Sequence, residues 1–319
     1  MKIIILLFSI FLGFVQSSAA KECNPQTPTN FILKKGKFHK KGPAAKFDPC
    51  HKSISLKNLK KKKKMPLVML IHGAGGKSDV TQVSSFLRSK GYATLEFDAF
   101  EMNGIKNYKV NLVKYSNSTR QEMIYPISRG GLKWILKQEG VDLSRVYIYG
   151  ISNGATVAAN LAAGSEAEKI KAVVSEGPTH AGMGMPDEVV TKLHLVFGKL
   201  DNFGARSEDG WRWIYRTPCE MNVSLNKAPK GNTINCNKKV SSGDGLVENH
   251  ITWYEKQKKK NNNTEIHFYE DAAHGIFHPK GLKKGFRTHK KLGFKVYINT
   301  GAKPAVLKKY KKDLLTYFN

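Results

Sequence analysis

The segment Gly150-Ile151-Ser152-Asn153-Gly154 limits the fold more than any other part of the chain. It follows the apolar run Val146-Tyr147-Ile148-Tyr149 and opens onto Ala155-Thr156-Val157-Ala158-Ala159, so it reads as strand, sharp turn, helix. A G-x-S-x-G at such a junction presents its serine hydroxyl clear of the sheet, because small residues on both sides let the backbone bend tightly. The same pattern alone also describes an ordinary turn, and the neighbouring sequence separates the two. Pro66-Leu67-Val68-Met69-Leu70-Ile71 is a continuous apolar run suited to a buried parallel strand, and it ends in His72-Gly73-Ala74-Gly75-Gly76. Such a loop can aim backbone N–H groups at one point, where each donor stabilises a developing oxyanion by about 3–4 kcal/mol. Its Gly76-Lys77-Ser78 does not complete the G-x-x-x-x-G-K-[ST] of a phosphate cradle, because Ile71 stands where the first glycine would be.

A serine presented this way needs a base and an acid, in the chain order serine, acid, histidine. Leu193 to Phe197 reads as a further buried strand, and Asp201 sits on the loop after it. Glu265 to Tyr269 reads as the last strand, alternating in polarity, and Asp271-Ala272-Ala273-His274-Gly275 follows. Ser152, Asp201 and His274 each fall just past a strand, and in a parallel sheet those ends share one rim. A neutral imidazole takes the hydroxyl proton and returns it, while a carboxylate on the other ring nitrogen fixes the tautomer. His250 and His278 are the reserve bases. Glu176 also ends an apolar strand, Ile170 to Ser175, and is the alternative acid.

These motifs resemble the α/β-hydrolase superfamily, and within it the secreted branch of the dienelactone hydrolase family, from about Pro66 to His278. The likeness rests on the loop at His72, on Asp98-Ala99-Phe100, and on Gly140-Val141-Asp142-Leu143-Ser144-Arg145-Val146 leading to Ser152. It extends to Phe197-Gly198-Lys199-Leu200-Asp201-Asn202-Phe203 and to Tyr269-Glu270-Asp271-Ala272-Ala273-His274-Gly275-Ile276-Phe277. The resemblance implies Ser152 as nucleophile, Asp201 as acid, His274 as base, and the amides of Ala74 and Asn153 as the oxyanion hole. It also implies an α/β fold, a mostly parallel central sheet with helices on both faces. Serine replaces the cysteine of the founding members, which favours ordinary esters. The family's arginine is absent from Asp98-Ala99-Phe100-Glu101-Met102-Asn103-Gly104, which removes an anchor for a substrate carboxylate.

Residues 1–20 carry a positive start at Lys2, an apolar core from Ile3 to Val15 and the small residues Ser18-Ala19-Ala20, the pattern of a cleaved signal peptide. The apolar stretch is too short for a transmembrane segment, so a secreted or periplasmic protein is expected. Residues 21–65 read as a basic arm with edge strands, 66–319 as the catalytic domain, and about 205–245 as an insertion holding Trp211, Trp213 and Tyr215. Cys23, Cys50, Cys219 and Cys236 suit disulfides in an oxidising compartment, with three pairings open. No metal or organic cofactor is implied.

The formal charge is +28, carried by lysine far more than by arginine, of which there are eight. Arginine makes the planar contacts that read bases, so specific nucleic-acid recognition is not expected; the runs Lys60 to Lys64 and Lys258 to Lys260 read as solvated connectors flanking predicted strands, with electrostatic association with an anionic envelope surface as the alternative. The reading is therefore an exported serine hydrolase acting on a small-molecule ester or lactone. The alternatives are a peptidase or polyester depolymerase on the same fold, and a non-catalytic basic binder of an anionic envelope polymer.

Overall fold

A computed structural model describes residues 31–34, 37–40, 44–105, 117–179, 182–201, 240–241, 246–247, 250–289 and 294–319. Its centre is a seven-stranded sheet in the order Thr264–Tyr269, Lys192–Gly198, Ala172–Glu176, Val141–Ile151, Met65–Ile71, Ala93–Glu96, Ser55–Lys57. Every neighbouring pair is parallel except the edge pair of Ser55–Lys57 with Ala93–Glu96. The basic arm thus supplies one edge strand of the main sheet, and its Phe31–Lys34 and Lys37–Lys40 form a separate hairpin.

Met65–Ile71 is buried along nearly its whole length, as the apolar run requires. Its side chains alternate between two cores. Leu67, Met69 and Ile71 face one core with Ile124, Ile127 and Val157. Val68 and Leu70 face the other with Val83, Leu87 and Tyr310. Helices Asn117–Ile135 and Asn153–Leu161 therefore cover one face, and Thr81–Ser89 and Pro304–Tyr317 cover the opposite one. Burial on both faces is the usual condition of a parallel sheet.

Three elements differ from the sequence reading. The sequence pattern gives a helix near Ile127 to Gln138, whereas Asn117–Ile135 begins earlier and runs through Pro126, because Met123 and Ile124 continue its buried face upstream. Lys258 to Lys260, read as a connector between strands, are the last turn of helix His250–Lys260, where cations complement the helix dipole. Lys283–His289 and Phe294–Thr300 pair as an antiparallel hairpin that was not anticipated. The alternation Phe294, Val296, Ile298 was its available signal. Among the described residues no helix is long and apolar enough to cross a membrane.

Candidate active site

Ser152 ends the strand Val141–Ile151 with φ 57° and ψ −120° and caps the helix Asn153–Leu161. A non-glycine residue held there costs about 1–3 kcal/mol, and such strain persists only where the surroundings enforce it. Its N–H donates to the Glu176 carbonyl at 2.9 Å, and its carbonyl accepts from Ala155 N–H at 3.0 Å. The flanking glycines are required by space. A Cβ on Gly154 would strike the Ile71 and His72 carbonyls, and one on Gly150 would come within 2.7 Å of Ala158 Cβ. The elbow is thus pressed against the end of Met65–Ile71.

The ladder places the partners on the same rim. Ile151 is level with Glu176, Glu176 with Val196, and Tyr269 with Gly198. Beyond those ends, His274 Nδ1 lies 2.9 Å from Asp201 Oδ2, with Asp201 only 1% exposed. A ring whose Nδ1–H donates to a carboxylate keeps a lone pair on Nε2. Ser152 and His274 line one cavity of about 370 Å³, together with Ala74, Asp79 and His278. The histidine loop is braced by Ala273 N–H to the Gly301 carbonyl at 2.7 Å and Gly301 N–H to the His274 carbonyl at 3.0 Å.

Electrostatics at His274 are a contest. Burial pushes its pKa down, but the Asp201 charge and hydrogen bond, with smaller contributions from Glu176 and Asp79, outweigh it and leave the pKa raised. A buried imidazole poised this way is suited to accept a proton once neutral.

The reserve residues occupy other roles. Glu176 Oε1 accepts from Ile276 N–H at 2.7 Å, and Oε2 accepts from the Tyr149 and Tyr310 hydroxyls at 2.5 and 2.8 Å. Its carboxyl thus ties strand, histidine loop and C-terminal helix together, and burial pushes its pKa up. His250 is buried with Nε2 2.8 Å from the Pro178 carbonyl and its ring edge-on to Phe197. His278 lines the cavity, its pKa pushed down by burial and by Lys280 and Lys283.

Of the expected oxyanion donors, Ala74 lines the cavity. Asn153 opens its helix, where first-turn N–H groups lack intrahelical carbonyls, and its side-chain oxygen accepts from Gln121 Nε2 at 3.3 Å. His72 braces the glycine loop. Nε2 accepts from Ala99 N–H at 2.9 Å, so the ring proton is on Nδ1 and donates to the Gly73 carbonyl at 2.7 Å.

Asp79 was not anticipated. It lines the cavity, and its Oδ2 accepts from Gly75 N–H at 2.8 Å. Burial pushes its pKa up, opposed by the hydrogen bonds it accepts from the Gly75 and Gly73 backbone. The only hint in the sequence was an acidic residue three positions past the glycine loop. Residues 1–20, Cys23, Cys219, Cys236, Trp211, Trp213 and Tyr215 lie outside the described residues. Cys50, the described cysteine, is not a free thiol.

No family model and no curated protein matches the chain. Solved structures do. One named m3DLH is 16% identical over 85% of this chain and 89% of its own, with a TM-score of 0.50. A Klebsiella pneumoniae structure named for a dienelactone hydrolase is 12% identical over 81% and 88%, with a TM-score of 0.49. The Bacillus cereus carboxylesterase is 14% identical over 83% and 93%, with a TM-score of 0.43. Identities this low speak to architecture alone. The strand order, the seven-stranded sheet with helices on both faces and the likeness to the first of these structures establish that the chain has the α/β-hydrolase fold.

Proposed function

We propose that this protein is a serine hydrolase that cleaves carboxylic esters or lactones through an acyl-enzyme. The supporting observation is one cavity edged by a strained, presented serine and by a histidine whose far nitrogen is bonded to a buried carboxylate. His274 Nε2 takes the Ser152 hydroxyl proton as Oγ attacks the carbonyl carbon. The oxyanion is received by the Ala74 and Asn153 amides, and each such donor contributes about 3–4 kcal/mol to the transition state. His274 then protonates the leaving alkoxide. Water, deprotonated by the same ring, attacks the acyl-enzyme and releases the acid.

The preferred ester is uncharged or cationic at its acyl end. Asp79 places a carboxyl on the cavity wall, and the family's arginine is absent from residues 98–104. The protein's overall positive charge draws anions toward its surface, but a carboxylate inside the cavity would face Asp79. Residues 1–20 act as an export signal, and Cys50 is held in a disulfide, consistent with its lack of a free thiol.

The test is turnover of p-nitrophenyl butyrate by wild type and Ser152→Ala. Loss of kcat by about 10⁴-fold or more supports the reading, and hydrolysis undiminished in the variant overturns it. Comparison with a half-ester bearing a free carboxylate on the acyl chain checks the charge preference. A kcat/KM for that half-ester equal to that for the neutral ester would remove Asp79 from the account.

A further inference from the structure

Away from the cavity, His194 on Lys192–Gly198 and Glu265 and His267 on the edge strand Thr264–Tyr269 converge on one sheet face. Parallel register sets His194 level with Glu265, and His267 lies two residues on, so all three side chains leave the sheet on the same side. His194 Nδ1 is 3.0 Å from His267 Nε2, and Glu265 Oε2 is 3.4 Å from the first and 3.5 Å from the second. With zinc–ligand bonds of about 2.0–2.1 Å, the edges of a tetrahedral site are roughly 3.3–3.4 Å long. The two separations to Glu265 match such edges, and the 3.0 Å between the ring nitrogens would open by about 0.3 Å around the ion.

We propose that His194, His267 and Glu265 form a Zn(II) site with its fourth position open to solvent. Two ring nitrogens 3.0 Å apart share at most one proton between them, so one lone pair is already on offer. His194 is 1% exposed, and its Nε2 is buried with no hydrogen bond, an arrangement that a neutral ring serving as ligand through Nδ1 tolerates better than an imidazolium. The Tyr317 ring stacks on both imidazoles, with centroids 4.5 and 4.4 Å away, and fixes their planes.

Glu265 divides its carboxylate between two tasks. Oε1 faces Lys192 Nζ at 3.6 Å, and Oε2 faces the imidazoles. Its side chain is 47% exposed, which gives the ion a path from solvent. The N₂O donor set suits a borderline divalent ion rather than Ca(II) or Mg(II), which prefer oxygen. The edge strand runs on into the loop that carries His274, so a bound ion would pin the edge strand to its neighbour just ahead of that loop. His194 lies 71 and 73 positions from Glu265 and His267, which is why sequence spacing did not reveal the cluster.

The experiment uses the untagged, chelator-stripped full chain, dialysed against Zn(II) and titrated with Co(II). The expected results are one equivalent of zinc by elemental mass spectrometry and intense visible Co(II) bands of four-coordination. His267→Gln and the packing-neutral Glu265→Gln should each weaken binding by more than about tenfold, while His278→Gln, outside the cluster, binds as wild type. Urea midpoints of the unloaded variants confirm that they are folded. Substoichiometric uptake by wild type, six-coordinate Co(II) spectra, or unchanged affinity in either ligand variant would overturn the site.

Discussion

His274 sits among three carboxyl groups, and their arrangement sets its pH behaviour. Burial disfavours its charged form, yet Asp201, Glu176 and Asp79 together hold the pKa above the ordinary histidine value of 6.5. A general base must be neutral, so kcat/KM should fall toward acid with a midpoint above that value. Removing one raising charge through Asp79→Asn should move the midpoint to lower pH; a midpoint that stays put would contradict the electrostatic account. The sign carries over to folding. A group whose pKa is raised in the folded state contributes stability in full below its unfolded pKa near 6.5, and loses it as pH rises through the folded value. Asp201→Asn should lower kcat by about 10⁴-fold, because an amide no longer fixes the tautomer that leaves Nε2 free. Ser152, Asp201 and His274 were all legible in the sequence, since each follows an apolar strand at the same end. Asp79 was not, because only the folded loop turns its carboxylate back onto Gly75.

At the scale of elements, Glu176 is the joint. Its buried carboxyl accepts from two tyrosine hydroxyls and from Ile276 N–H, linking the strand before it, the C-terminal helix and the loop that carries His274. Glu176→Ala would leave three buried donors unpaired and should cost about 3–5 kcal/mol, read as a lower urea midpoint. Tyr310→Phe removes one of the bonds and should cost about 1–2 kcal/mol. Equal losses from the two variants would mean that the shared carboxyl is not the joint. The elbow makes a second demand. Gly154→Ala forces a methyl group into the carbonyls ending Met65–Ile71 and should destabilise by at least about 1–3 kcal/mol, with a thermal melt as the check. Apolar runs made the buried strands readable from sequence, and the proline in Asn117–Ile135 hid that helix's first half. The hairpin of Lys283–His289 with Phe294–Thr300 was overlooked in a lysine-rich stretch whose alternation is its only mark.

For the molecule as a whole, net charge is the property that acts at the longest range. The +28 balance is dominated by lysine, and the runs at Lys60 to Lys64 and Lys258 to Lys260 are exposed. The intact protein should therefore bind a cation exchanger or acidic vesicles in a salt-dependent way, since screening lengths fall to about 8 Å at physiological ionic strength. Retention indifferent to salt would contradict a surface role for that charge. The fold was readable because alternation of apolar strands and helix-length segments leaves few topologies open, whereas the His194, Glu265 and His267 cluster depends on register between distant strands. The central claim is that Ser152, activated by His274 on Asp201, is a nucleophile. It is tested most directly by a fluorophosphonate probe on the folded protein, with the modified residue located by peptide mass mapping. The account predicts one stoichiometric adduct at Ser152, absent from Ser152→Ala and formed far more slowly in His274→Ala. A folded wild-type protein that takes no label, or takes it at another residue, would contradict it.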